Sequence, residues 1–283
     1  MMSAVILAVS LNTLSQVAAP RESQRQSITQ NVGDAVITIV YHRPNVKGRK
    51  IWGGLVPYGK VWRSGANEAT VFEVSRDVTI NGKPLPAGKY SLHTIPTAGD
   101  WTVIFNKTWD QWGSFNYDEK MDAVRVTAKP VRSEFFETLV YGFGETTANS
   151  TTAFIRWEKL RIPFTIDIGD VHGRVIAQFR EAIKNRKPDD ARPLNQGANY
   201  VATFKVKPSY DEAIGWLEAS IAMKETFGNL GAKARLLNEN GKTAEAIATA
   251  EKAIAIGKAA TPPANVDAVA ALEATVKEWK AKK

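Results

Sequence analysis

Between positions 20 and 168 apolar and polar residues alternate with the period of two that marks half-buried strands, and beyond Asp170 they recur near every 3.6 residues, the period of a helix face. The first regime predicts strands at 35–41, 69–75, 77–80, 90–95 and 101–106, with further runs at 123–128, 134–141, 151–157 and 163–168. Asn81-Gly82 supplies the left-handed pair that a tight hairpin demands, and Pro84 and Pro86 keep the returning segment out of a central ladder. Segment 51–57 is too rich in Gly and Pro for a regular element, so it reads as a packed loop whose Trp52 and Leu55 plug the core. Short antiparallel strands at this spacing predict a β-sandwich in preference to a barrel.

The helical regime opens at 171–187, where Val175, Ile176, Phe179 and Ile183 form one apolar face that ends before Pro188. Tyr210-Asp211-Glu212-Ala213-Ile214 and Thr243-Ala244-Glu245-Ala246-Ile247 then recur at an offset of 33, with an Asn240-Gly241-Lys242 turn ahead of the second. The chain therefore divides into a leader at 1–19, a β domain at 20–168 and a helical-repeat domain at 169–283. The leader is predicted from the apolar run 4–9 and from Val17-Ala18-Ala19, which has the small residues a signal peptidase prefers, although no Lys or Arg precedes the run. It implies a periplasmic or extracellular protein.

Composition narrows the function classes. With no cysteine, disulfides and thiolate chemistry are excluded. The net charge of +8 is spread along the chain without a basic block, so no nucleic-acid surface is expected. No apolar run is long enough to predict an integral membrane protein. The three histidines lie far apart in sequence and no metal or nucleotide motif occurs, so neither metal nor cofactor is expected.

The polar concentration that invites a site is Arg43, Lys47, Arg49, Arg63, Asn67, Glu68 and His93, with Trp112 as an aromatic neighbour. Arg63 and Glu68 flank a turn through Gly65, so their heads are expected to converge, either on an anionic ligand or on each other as a structural ion pair. His93, in a strand, either shuttles a proton or hydrogen-bonds the backbone. Trp101 and Trp157 read as core, whereas Trp109 and Trp112 suit a ligand platform as well as a core.

The motifs RPNVKGRKIWGGLVPYG, VWRSGANEAT, INGKPLPAGKYSL, TIP, WTVIFNK and QWG resemble the bacterial domain-of-unknown-function 2911 family over about residues 25–168. The resemblance implies an exported bacterial β domain and brings no activity with it. The helical segment resembles tetratricopeptide repeats, degenerately, since Ala234 stands where Gly is usual. The expected function is a non-catalytic protein that binds a small polar or anionic ligand or a carbohydrate, with a protein partner on the helical repeats. An enzyme acting on sugars through Arg63, Glu68 and His93 is the alternative, and a purely structural envelope protein the third.

Overall fold

The computed structural model describes residues 20–260 and 264–282, which fall into two compact units that divide at Gly169 and Asp170. The leader expected at 1–19 lies outside the described residues.

Among its described residues the first unit is built on ten strands that pair antiparallel in two sheets. Strands β1 (Gln24–Val32), β2 (Ala35–Arg43), β3 (Thr70–Val74), β6 (Gly88–Ile95), β7 (Trp101–Asn106) and β8 (Asp122–Ala128) form a six-stranded sheet in the order β1-β2-β3-β6-β7-β8. Strands β4 (Val78–Ile80), β5 (Lys83–Leu85), β9 (Val131–Thr146) and β10 (Ser150–Asp167) form a second sheet in the order β5-β4-β10-β9. Alternate residues of the first sheet, among them Ile37, Ile39, Tyr41, Phe72, Leu92 and Phe105, are buried in a core shared with the second. Edge-on ring contacts join the two sheets there, Tyr41 with Tyr141 at 4.7 Å and Phe105 with Phe164 at 5.8 Å.

The Asn81-Gly82 hairpin joins β4 to β5, both residues having positive φ, and β5 with its proline lies on a sheet edge as expected. Three expectations need correction. β1 was not predicted, because its sequence QRQSITQNV is polar and only one of its faces is partly covered. The runs 151–157 and 163–168 are one strand: bulges near Glu158, which has φ 56°, carry β10 on past the β9 ladder, and Pro163 falls between residues paired with β9 and those paired with β4. In the packed loop Ile51, Trp52 and Val56 fill the core, but Leu55 is 47% exposed.

The second unit holds six helices, α1 (Val171–Lys184), α2 (Arg192–Thr203), α3 (Tyr210–Met223), α4 (Phe227–Glu239), α5 (Thr243–Ala259) and α6 (Val266–Ala281), each packing on the next. The two matching pentapeptides open α3 and α5, and Gly241, with φ 80°, makes the turn between α4 and α5. Ala246, Ala250, Ala253 and Gly257 form a buried stripe of small residues on α5. Its last member is held so close to Phe227 of α4 that a Cβ there would meet the ring at 2.9 Å. The α2 helix was not predicted. Among the described residues no helix is long and apolar enough to cross a membrane.

Candidate functional site

Strand alternation sends Ser91, His93, Ile104 and Asn106 to the side of the six-stranded sheet opposite the shared core, yet all four are fully buried. The chain between β7 and β8 folds back over them. The Gln111 amide donates to the Thr108 carbonyl at 2.8 Å and to Ser91 Oγ at 3.1 Å. His93 Nδ1 lies 3.1 Å from Ser114 Oγ, and its ring meets Tyr117 edge-on at 5.2 Å. Asn106 donates to the Asp118 carbonyl and to Asp122 Oδ1, both at 2.8 Å. Tyr117 closes the network by donating to Asp122 Oδ2 at 2.7 Å and accepting from Arg125 at 2.6 Å.

This network is structural in character. Ser91 Oγ stands 3.0 Å from His93 Nε2, as in a nucleophile and base pair, but both side chains are sealed from solvent and the other ring nitrogen faces a serine hydroxyl instead of a carboxylate. Burial lowers the His93 pKa to about 4, against a small opposing effect of Asp122, so the ring is neutral at physiological pH.

Where the covering segment meets β1, β2 and β3 a cleft of about 480 Å³ opens, lined by Arg21, Arg25, His42, Glu68, Trp109 and Gln111 among others. The register sets Arg25 opposite His42, and an antiparallel bridge between Glu68 and Trp112 fastens the covering segment beside them. Arg21 donates to both Glu68 oxygens at 2.7 Å, and His42 Nδ1 lies 3.4 Å from the same carboxylate. Burial pushes the Glu68 carboxyl up, but the Arg21 hydrogen bonds, its own backbone and the nearby positive charge together hold it below the usual range. Burial is also the largest influence on His42 and lowers its pKa despite Glu68. Trp109 and Trp112 are 43% and 53% exposed, and the Arg21 guanidinium lies 5.5 Å from the Trp112 ring centre. The Gln111 Oε1 atom is buried without a partner among the described residues.

The expected site residues are therefore scattered and do not form one site. Glu68 lines the cleft, Trp112 adjoins it, and His93 stands behind its wall, bound through Ser91 and Gln111. Arg43 donates to the Leu139 carbonyl at 3.2 Å, and the Asn67 amide reaches the Ser23 carbonyl at 3.4 Å, so both tie backbone segments together. Arg49 and Arg63 line a separate, smaller pocket. The expected Arg63–Glu68 pair does not form. Ser64 and Asn67 both adopt φ 56°, and this doubly left-handed turn leaves Arg63 and Glu68 on different cavities. Lys47 pairs with Glu22 instead of joining a site.

Sequence reasoning missed Arg21, Arg25 and Gln111, and it left His42 outside the site. Arg21 precedes the unpredicted β1 and Arg25 belongs to it, while Gln111 sits in the Trp-Asp-Gln-Trp-Gly run, whose tryptophans carry the stronger local signal. Among the described residues no group of three His, Asp or Glu side chains could hold a metal ion.

Residues 23–166, about half of the chain, match the family described as protein of unknown function (DUF2911). No curated protein and no solved structure matches the chain.

Proposed function

Since the chain belongs to the DUF2911 family, whose description carries no activity, we propose a role from its own cleft: an exported binding protein that takes a small, hydroxyl-rich ligand of the carbohydrate class between β1–β3 and the covering segment. The observation that carries this reading is the lining of the cleft. Arg21 and Arg25 offer donors, Glu68 and Asp110 offer acceptors, and Trp109 presents an exposed indole. A sugar ring needs that combination, because its hydroxyls both donate and accept while its C–H face stacks on an aromatic ring. We read the two sheets around one aromatic core as a β-sandwich, and the helical unit as a tetratricopeptide-like module that contacts a protein. A second reading, catalysis, is favoured by the carboxylate of Glu68 beside His42, an arrangement that suits general-base chemistry on a bound sugar.

Calorimetric titration of the full chain with neutral sugars and sugar acids tests the cleft. Saturable binding is expected, weakened about tenfold by Trp109→Ala, equivalent to ~1.4 kcal/mol, with an unchanged melting temperature because the indole is exposed. Absence of any sugar binding by the wild type would remove this reading and leave the structural one. For compartment and partner, the measurement is cell fractionation with N-terminal sequencing, followed by cross-linking in place. A mature protein beginning at Pro20 with adducts through the helical unit is expected, and intact Met1 in the cytosol would refute export.

A further inference from the structure

Arg63 differs from the other cations of the β unit. Its side chain is half-buried, holds no hydrogen bond, ion pair or ring contact with any described residue, and its Nε is sealed without an acceptor. The other arginines of this unit with a sealed, unpartnered Nε have company of another kind. Arg76 pairs with Asp34, Arg156 lies 3.6 Å from the Phe136 ring centre, and Arg161 lies 4.2 Å from that of Phe154. A partly desolvated cation with no counter-charge is unfavourable, and folds retain one where something else supplies the charge. Burial lowers the Arg63 pKa with nothing opposing it.

The pocket that Arg63 lines has the other half of a receptor. It encloses about 220 Å³ between Arg63, Arg49, Asn45, Leu55, Trp62 and Trp157. Arg49 is held in place by the carbonyls of Val46 at 3.0 Å and Asn45 at 2.5 Å, and it adds a second positive charge. The one carboxylate on the wall, Glu22, is engaged by Lys47. The backbone beneath Arg63 is fixed: the Ser64 carbonyl accepts from Tyr141 Oη at 2.9 Å and Thr70 Oγ1 at 3.1 Å, and Ser64 Oγ donates to Thr94 at 3.0 Å. Trp62 and Trp157 stack at 6.0 Å with their planes 20° apart, so the fully buried Trp157 backs the half-buried Trp62 and makes that apolar wall rigid.

We propose that this pocket is a second ligand site, separate from the cleft, and that it takes a small organic carboxylate. The planar Arg63 fork receives the carboxylate, for which its geometry is suited, and Trp62, backed by Trp157, and Leu55 receive an apolar body. The volume corresponds to about seven waters at ~30 Å³ each, room for a ring-sized acid and too little for a nucleotide.

The test titrates the full chain with benzoate, acetate and inorganic phosphate, following heat and tryptophan fluorescence in parallel. Benzoate should bind saturably and more tightly than acetate or phosphate. Arg63→Lys, which keeps the charge but loses the fork, should weaken it at least tenfold, and Arg63→Gln should abolish it. Because the wild-type charge has no partner to lose, Arg63→Gln should melt at the same temperature as the wild type or above it. Trp112→Ala, at the cleft, should leave benzoate binding unchanged. The proposal is overturned if benzoate does not saturate the wild type, if phosphate binds more tightly, or if Arg63→Gln still binds. A melting temperature lowered by several degrees in Arg63→Gln would make the residue structural, and loss of benzoate binding in Trp112→Ala would move the ligand to the cleft.

Discussion

Lowering the pH from 6.5 to about 4 should remove on the order of 3 kcal/mol of stability through His93 alone, and His93→Gln should abolish that part of the dependence. The unfolded imidazole takes up a proton below its ordinary pKa of 6.5, whereas the buried ring does so only below about 4. Between those values the unfolded state binds more protons than the folded one. The stabilisation is complete above 6.5, falls through the window and is gone below about 4. His42, also depressed by burial, acts in the same direction, and Glu22 and Glu68, both held low by basic partners, add their own loss at more acidic pH. These contributions are common to wild type and variant, so the difference between their curves isolates His93. At neutral pH the Gln variant should itself be less stable by about 1–3 kcal/mol, because the amide does not reproduce the buried ring's contacts with Ser91, Ser114 and Tyr117. The measurement is urea unfolding of both proteins across this range, followed by the β-unit signal. Parallel curves would show that His93 is not the proton-linked group.

Much of the architecture is written in local pattern. The hairpin at Asn81-Gly82 follows from backbone sterics, the change of period near Asp170 coincides with the division into two units, and the edge position of β5 follows from its proline. What escaped notice depends on contacts between distant segments. β1 carries no clear apolar alternation because only one of its faces is covered, and that only partly, so nothing local distinguishes it from a loop. Long strands such as β9 and β10 are broken in sequence by Gly142, Gly144 and Pro163, yet continuous in space because bulges absorb the irregularity. The site was legible as composition and illegible as geometry. The RSGANEAT turn does concentrate polar residues, but its two left-handed positions separate Arg63 from Glu68, and the true partner of Glu68 is Arg21, 47 positions away. No spacing rule anticipates that pairing.

Trp157→Ala should be the most damaging single change in the β unit, lowering its stability by about 3–5 kcal/mol. The side chain, on β10, is 1% exposed and packs on the tryptophans of the segment between β2 and β3, with Trp52 edge-on at 5.7 Å and Trp62 stacked at 6.0 Å. Its indole N–H donates to the Glu137 carbonyl at 3.2 Å. That carbonyl also accepts from the Val46 amide at 2.8 Å, so it keeps a partner when the indole is removed. The loss is therefore one of packing: truncation opens a cavity whose walls, Trp52, Trp62 and the bulged backbone of β10, are too interlocked to collapse into it. Trp157→Phe, which refills most of the volume, should recover the larger part of the loss. Trp112→Ala, at 53% exposure, should cost almost nothing and provides the control. The same truncation enlarges the pocket beside Arg63, so Trp157→Ala should loosen benzoate in proportion to the lost wall, and added indole should fill the void and raise the melting temperature of the variant. Thermal melts of the three variants with and without indole provide the check. A Trp157→Ala protein as stable as Trp112→Ala would mean that the four-tryptophan cluster does not hold the sheets together, and the rigid wall assigned to the Arg63 pocket would fall with it.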